Sequence, residues 1–204
     1  QNLHRQPNGG SNFLPAGKLA ESTGRDLNMG SWGITMRQSD YGLDLLGTIT
    51  EVQLKRTNFT VFNVSEALEF VKADILDEIR RANPGCSAEI LSFYISTNFP
   101  RNFTLAALLI AECLADYYHA GELIVYEYNR KTCELSERSV KRFIVTNSDL
   151  KILLAELQNV QNPKHWFYQS WFGEETRSAW LEHIQSVFQT LNKHTHNGKE
   201  ARNG

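Results

Sequence analysis

The sequence predicts an α+β fold: one mostly helical domain with a small antiparallel sheet or hairpin. Three observations lead there. Apolar residues recur at helical spacing in five separate stretches. Between the third and the fourth the pattern changes, and residues 122–128 and 140–145 fill with β-branched and aromatic side chains, the composition of strands. The 204 residues are 41% hydrophobic and 22% charged, which places the chain among globular sequences rather than disordered or fibrous ones.

Residues 1–28 stand apart. They hold Pro7, Asn8-Gly9-Gly10-Ser11, Pro15 and Gly17 and follow neither a helical nor an alternating period. They read as a disordered leader or a non-native upstream segment, with the domain spanning residues 29–193 and a flexible tail at 194–204. A first helix follows Ser39, a good N-cap, with Tyr41, Leu45, Ile49 and Val52 on its apolar stripe. Gly42 and Gly47 inside it cost about 1 kcal/mol each against Ala, so the helix should pack tightly against something. A short strand near 60–64 leads to a helix over 65–83, striped by Leu68, Val71, Ile75 and Ile79 and stopped by Pro84-Gly85. Residues 88–96 are apolar and ambiguous between strand and helix. The next helix is capped at Asn102 or Thr104, runs through Tyr118 and ends at Gly121. A hairpin follows, with 129–139 as its loop. A helix over 148–160, an aromatic loop over 165–172 and a last helix over 174–192 complete the order.

Charge and cysteines narrow the function classes. The net charge is -2, with no basic excess and no like-charge block, so nucleic acid is not an expected partner. Cys86, Cys113 and Cys133 form no CxxC pair, so neither a disulfide framework nor a zinc knuckle is expected, and a reducing, cytoplasmic compartment is. No apolar run reaches about 18 residues, so no membrane association is expected. No phosphate-cradling Gly loop, GxSxG elbow or triad spacing occurs, so no cofactor is expected.

Met29-Gly30-Ser31-Trp32-Gly33, then Asp40, then Leu43-Asp44-Leu45-Leu46, resembles the start of a bacterial family of uncharacterised proteins. Its members open Gly-Ala/Thr-Trp-Gly and carry two acidic residues four apart before an apolar helix. The match is limited to residues 29–46, with Thr35 where the family tends to have Gly and Gln38 where it often has an acid. The resemblance implies Met29 as the natural start and transfers no catalytic residue.

Four groups of residues are candidates for a site. Trp32 lies between two glycines and reads as an anchor that pins the N-terminus. Asp40 and Asp44 share a helical face but offer only two oxygens to a cation. Glu112, Asp116 and His119 lie at i, i+4 and i+7, so one face presents two carboxylates and an imidazole, suited to a divalent metal or to acid–base work. Glu112 interrupts an otherwise apolar run over 105–115, so it must be buried and paired, with Arg101, Arg80 or a hairpin residue as partner. A structural ion pair there outweighs a metal site. The fourth group is the loop holding His165, Trp166, Tyr168 and Trp171, a binding-loop candidate because Trp and Tyr are enriched at interfaces; its bland reading is a lid packed on the core. His194 and His196 form a chance-level pair in a polar tail. Cys113, between apolar neighbours and Glu112, is a poor nucleophile.

These observations favour a non-enzymatic protein-binding accessory or immunity-type protein, with another protein as its partner. The alternative is a small metal-dependent hydrolase built on Glu112, Asp116 and His119.

Overall fold

The computed structural model describes residues 34–129, 134–171 and 173–197. They form a mostly helical α+β single domain with two small sheets. A 3-10 turn, Met36–Gln38, precedes α1, Asp40–Ile49. Ser39 caps α1 as its residue type predicts: its hydroxyl accepts from the Gly42 N–H at 3.0 Å. Leu45 and Ile49 are buried. Gly42 is the tight approach its residue type announced, because a Cβ there would lie 1.8 Å from the Met36 carbonyl oxygen. Gly47 is exposed and meets nothing. The helix then widens into a π-helical stretch, Thr50–Leu54, and tightens into a 3-10 turn, Lys55–Thr57.

Strand β1, Val61–Asn63, feeds directly into α2, Val64–Ala82, whose cap is the Asn63 side chain. Leu68, Val71, Ile75 and Ile79 are all buried, as their spacing predicts. The next helix corrects the sequence reading. Residues 88–96 and the stretch from 102 onward form one 33-residue helix, α3, Ala88–Ala120, with Pro100 inside it. Pro100 removes the N–H that would bond the Ser96 carbonyl. Both residues are exposed, so water can satisfy that carbonyl and the helix passes through. Gly121, at φ 78°, ends α3 in the left-handed conformation that glycine allows.

The hairpin is also corrected. Strand β2, Leu123–Asn129, pairs antiparallel with β3, Glu134–Val140, in the register Leu123↔Val140, so most of the expected 129–139 loop is strand. Strand β4, Arg142–Ile144, leaves the hairpin and pairs in parallel with β1. The sequence of β3, Glu-Leu-Ser-Glu-Arg-Ser-Val, buries only Val140, so it had no apolar face to display as an alternation. Stacked Phe62 and Phe143, centroids 4.8 Å apart, seal the second pairing.

Helix α4, Asn147–Val160, starts at a capping box of Thr146 and Asp149. Buried Asp149 also accepts from the Ser65 hydroxyl at 2.7 Å, tying the first turn of α2 to that of α4. A four-residue helix, α5, Trp166–Gln169, sits inside the expected aromatic loop. The last helix, α6, Glu174–Asn197, continues past Lys193, so the expected tail begins helical. Helix α3 is the centre of the domain: α1, α2, α4, α6 and β2 all pack on it. From Ala106 to Ala115 every residue is buried. Among the described residues no helix is long and apolar enough to cross a membrane.

Candidate functional site

Glu112 is the polar residue at the centre of this helical packing. It is 3% exposed on the apolar stretch of α3, where an unpaired carboxylate would be very costly. Its partners are not the arginines or the hairpin residue expected from sequence. Oε1 accepts from the Met36 N–H at 2.9 Å and lies 2.9 Å from His183 Nε2 on α6. Oε2 accepts from the Arg37 N–H at 3.2 Å. Arg80 instead pairs with Asp77 at 3.0 Å, and the guanidinium of Arg101 lies 4.6 Å from the ring of Trp166.

The local sequence explains how the N-terminal turn reaches the carboxylate. Ser39 Oγ donates to the Met36 carbonyl at 2.7 Å and accepts from Gly42, and the missing side chain at Gly42 lets that carbonyl lie against α1. The two N–H groups at the open end of the turn then point to Glu112. Arg37 completes the clasp. Its guanidinium pairs with Asp116, one turn along α3 from Glu112, and donates to the Ile124 carbonyl of β2 at 3.0 Å. The hydrogen bond to Glu112 raises the His183 pKa, with burial opposing it and the charges of Glu112 and Asp116 adding to it.

The three-residue face expected from sequence therefore divides. Glu112 and Asp116 share Arg37, and Glu112 also takes His183. His119 turns away and pairs its Nε2 with the Thr190 hydroxyl of α6 at 3.1 Å. Glu112 thus takes three hydrogen bonds, and His119 takes its partner from α6. Among the described residues no group of three or more His, Cys, Asp or Glu side chains gathers as a metal site. Burial pushes the Cys113 thiol up to about 12, in keeping with its reading as a poor nucleophile.

The aromatic loop packs inward. Phe167 is fully buried, and Trp171 stacks on buried Trp180 at 5.4 Å and 21°. Trp166, Tyr168 and Trp171 are half-buried, and His165 caps α5 by accepting from the Phe167 N–H at 3.3 Å. Burial lowers the His165 pKa. Asp40 and Asp44 are both exposed on α1. His194 stacks on Tyr118 with centroids 3.6 Å apart. Trp32 and the side chain of His196 lie outside the described residues.

Exposed apolar side chains lie elsewhere, Leu43 of α1 among them at 54%. Phe93 is 65% exposed and Ile90 50%, three residues apart on the first turns of α3. Their neighbours Leu91, Tyr94 and Ile95 are half-buried against the core, so the stripe begins where the core ends. No residue from Arg80 to Phe103 is fully buried. Tyr126 and Leu135 on the hairpin are exposed as well. The sequence held a partial signal for the α3 stripe: as a helix, 88–96 puts Glu89, Ser92 and Ser96 on one face and spreads its large apolar residues over the rest, wider than one core contact needs. No family model, curated protein or solved structure matches the chain.

Proposed function

We propose that this chain is a non-enzymatic accessory or immunity-type protein that binds another protein through the apolar stripe at the start of α3. The observation that carries the reading is the exposure of Phe93 and Ile90 on a helix whose other half is the core of the domain. Large apolar side chains presented together on a rigid helix are the usual anchors of a helix-in-groove contact, spaced i and i+3. The partner would supply an apolar groove for Phe93 and Ile90. Conversely, the polar residues best suited to catalysis by type, Glu112, Asp116 and His119, each have a structural partner.

The test has two steps. Affinity purification from the native source with the full chain as bait identifies a partner. Calorimetry with the purified pair then measures binding for the parent, for Ile90→Ser/Phe93→Ser and for Asp116→Asn. Loss of at least about 2 kcal/mol in the double variant alone is expected, the size of a hot spot. A partner bound equally well by the double variant would move the interface away from α3 and overturn the reading.

A further inference from the structure

A second surface, separate from the α3 stripe and independent of its reading, lies on the hairpin. Strand β3 pairs with β2 along its whole length, residue for residue, with no bulge. Its other edge has no strand beside it. Among the described residues, no backbone group of Glu134–Val140 bonds to anything outside the hairpin. That leaves a row of N–H and C=O groups open to another strand. Proteins usually blunt such an edge with a proline, a lysine or a bulge, and β3 has none of the three. A two-stranded ribbon is also marginal by itself and gains from further strands.

The side chains of β3 select the strand that fits. Its charges are of both signs, Glu134 and Glu137 against Arg138. Opposed side chains of antiparallel strands share one face, so a two-fold axis between two copies of β3 passes through a residue that faces itself. An axis at Glu137 or at Arg138 sets like charges opposite each other, which is destabilising. An axis at Leu135 opposes no unlike charges among the described residues, and beyond Arg138 the chain soon leaves the hairpin for β4. An axis at Ser136 sets Glu134 opposite Arg138 of the second copy, twice, and Leu135 opposite Glu137. Glu134 is exposed. Arg138 holds Glu127 through Nε and Nη2, at 3.1 and 3.0 Å, which leaves Nη1 for a further carboxylate. On the other face, Leu135 (69% exposed) and Tyr126 (60%) are diagonal neighbours in the hairpin. The same axis sets the two copies of Leu135 on a diagonal of about 7–8 Å, so each covers part of the other. We infer that two copies of this chain associate through β3, antiparallel about a two-fold axis at Ser136. The product is a four-stranded sheet in the order β2, β3, β3, β2.

One short strand pair is a small interface and its dimer is weak, so sedimentation equilibrium of the full chain should run from about 10 μM to 1 mM. A monomer–dimer equilibrium is expected, with concentration-dependent amide shifts of the isotope-labelled chain confined to the hairpin. In a mixture of labelled and unlabelled chain, intermolecular NOEs should join Glu134 to Arg138 and Leu135 to Glu137. Glu134→Arg turns both attractive pairs into like-charge pairs and should weaken the dimer roughly tenfold. Glu137→Gln, at a residue that faces Leu135 in this register, should change it by less than about threefold. Both substitutions fall on exposed side chains, so the fold is kept. A chain that stays monomeric throughout the range overturns the inference, as does a dimer whose shifts fall on residues 88–97. So does a Glu134→Arg variant that dimerises as well as the parent. A dimer tightened well beyond threefold by Glu137→Gln would put the axis at Glu137 and overturn it too.

Discussion

Glu112 carries most of the chemistry at the residue scale. A lone acid in an apolar run announced both its burial and its need for partners. Their identity was hidden, because two are backbone N–H groups, which every residue but proline has, and the third, His183, lies 71 positions away. Truncating one member of a buried polar set strands the others. Glu112→Gln should therefore destabilise by about 3 kcal/mol, whereas Asp116→Asn, at a half-exposed pair, should cost less than about 1 kcal/mol. Chemical denaturation of the two variants checks both values, and equal costs would refute the division of roles. His183 adds a pH dependence. Its folded pKa is raised above the unfolded value near 6.5, chiefly by the hydrogen bond to Glu112. Its stabilising contribution is therefore full below about pH 6.5 and is lost as pH rises through the folded value. The stability gap between parent and His183→Gln should shrink across that window, and a gap that widens with pH would contradict the assignment. Gly42→Ala tests the turn that feeds the clasp. The added methyl displaces the Met36 carbonyl, at a cost of about 1–3 kcal/mol. A neutral result would mean that the turn is not held against α1.

At the scale of elements, the helices with strong apolar stripes were legible and the irregular ones were not. The stripe of α2 lies where its spacing placed it, because that helix packs one face on a single core. The sequence left 88–96 ambiguous and began the next helix at Asn102 or Thr104, yet α3 runs through both, because the exposed Pro100 between them costs one carbonyl partner and no packing. Strand β3 was missed because six of its seven residues escape burial. The short β1–β4 pairing joins segments about eighty residues apart, and no local period encodes such a partner. The aromatic loop was weighed evenly between a binding surface and a lid, and its contacts with Trp180 belong to the lid. Trp180→Ala should therefore destabilise by roughly 3–5 kcal/mol. Ile90→Ser/Phe93→Ser, at side chains already in water, should shift stability by no more than about 0.5 kcal/mol per site. Thermal melts of both variants measure this contrast. A large loss in the Ile90/Phe93 variant would place those side chains in the core rather than on a docking face.

At the scale of the whole molecule, α3 joins two roles in one rod about 50 Å long. Its second half collects the other helices and the N-terminal clasp, and its first half leaves the core with apolar side chains in the open. This arrangement gives Glu112 a part in holding the fold, and the proposed function puts the binding face on the surface of α3. A metal-dependent enzyme would reverse that assignment, with Glu112, Asp116 and His119 acting as one unit. Ligand linkage separates the two, since a metal bound only by the folded state raises its stability. The decisive measurement is a set of melting curves for the parent, Glu112→Gln, Asp116→Asn and His119→Gln, each with chelator and with added Zn²⁺ or Mn²⁺. A loss concentrated in Glu112→Gln and unchanged by metal is the expected result. A metal-induced gain in the parent that disappears equally in all three variants would contradict it and make the cluster a metal site.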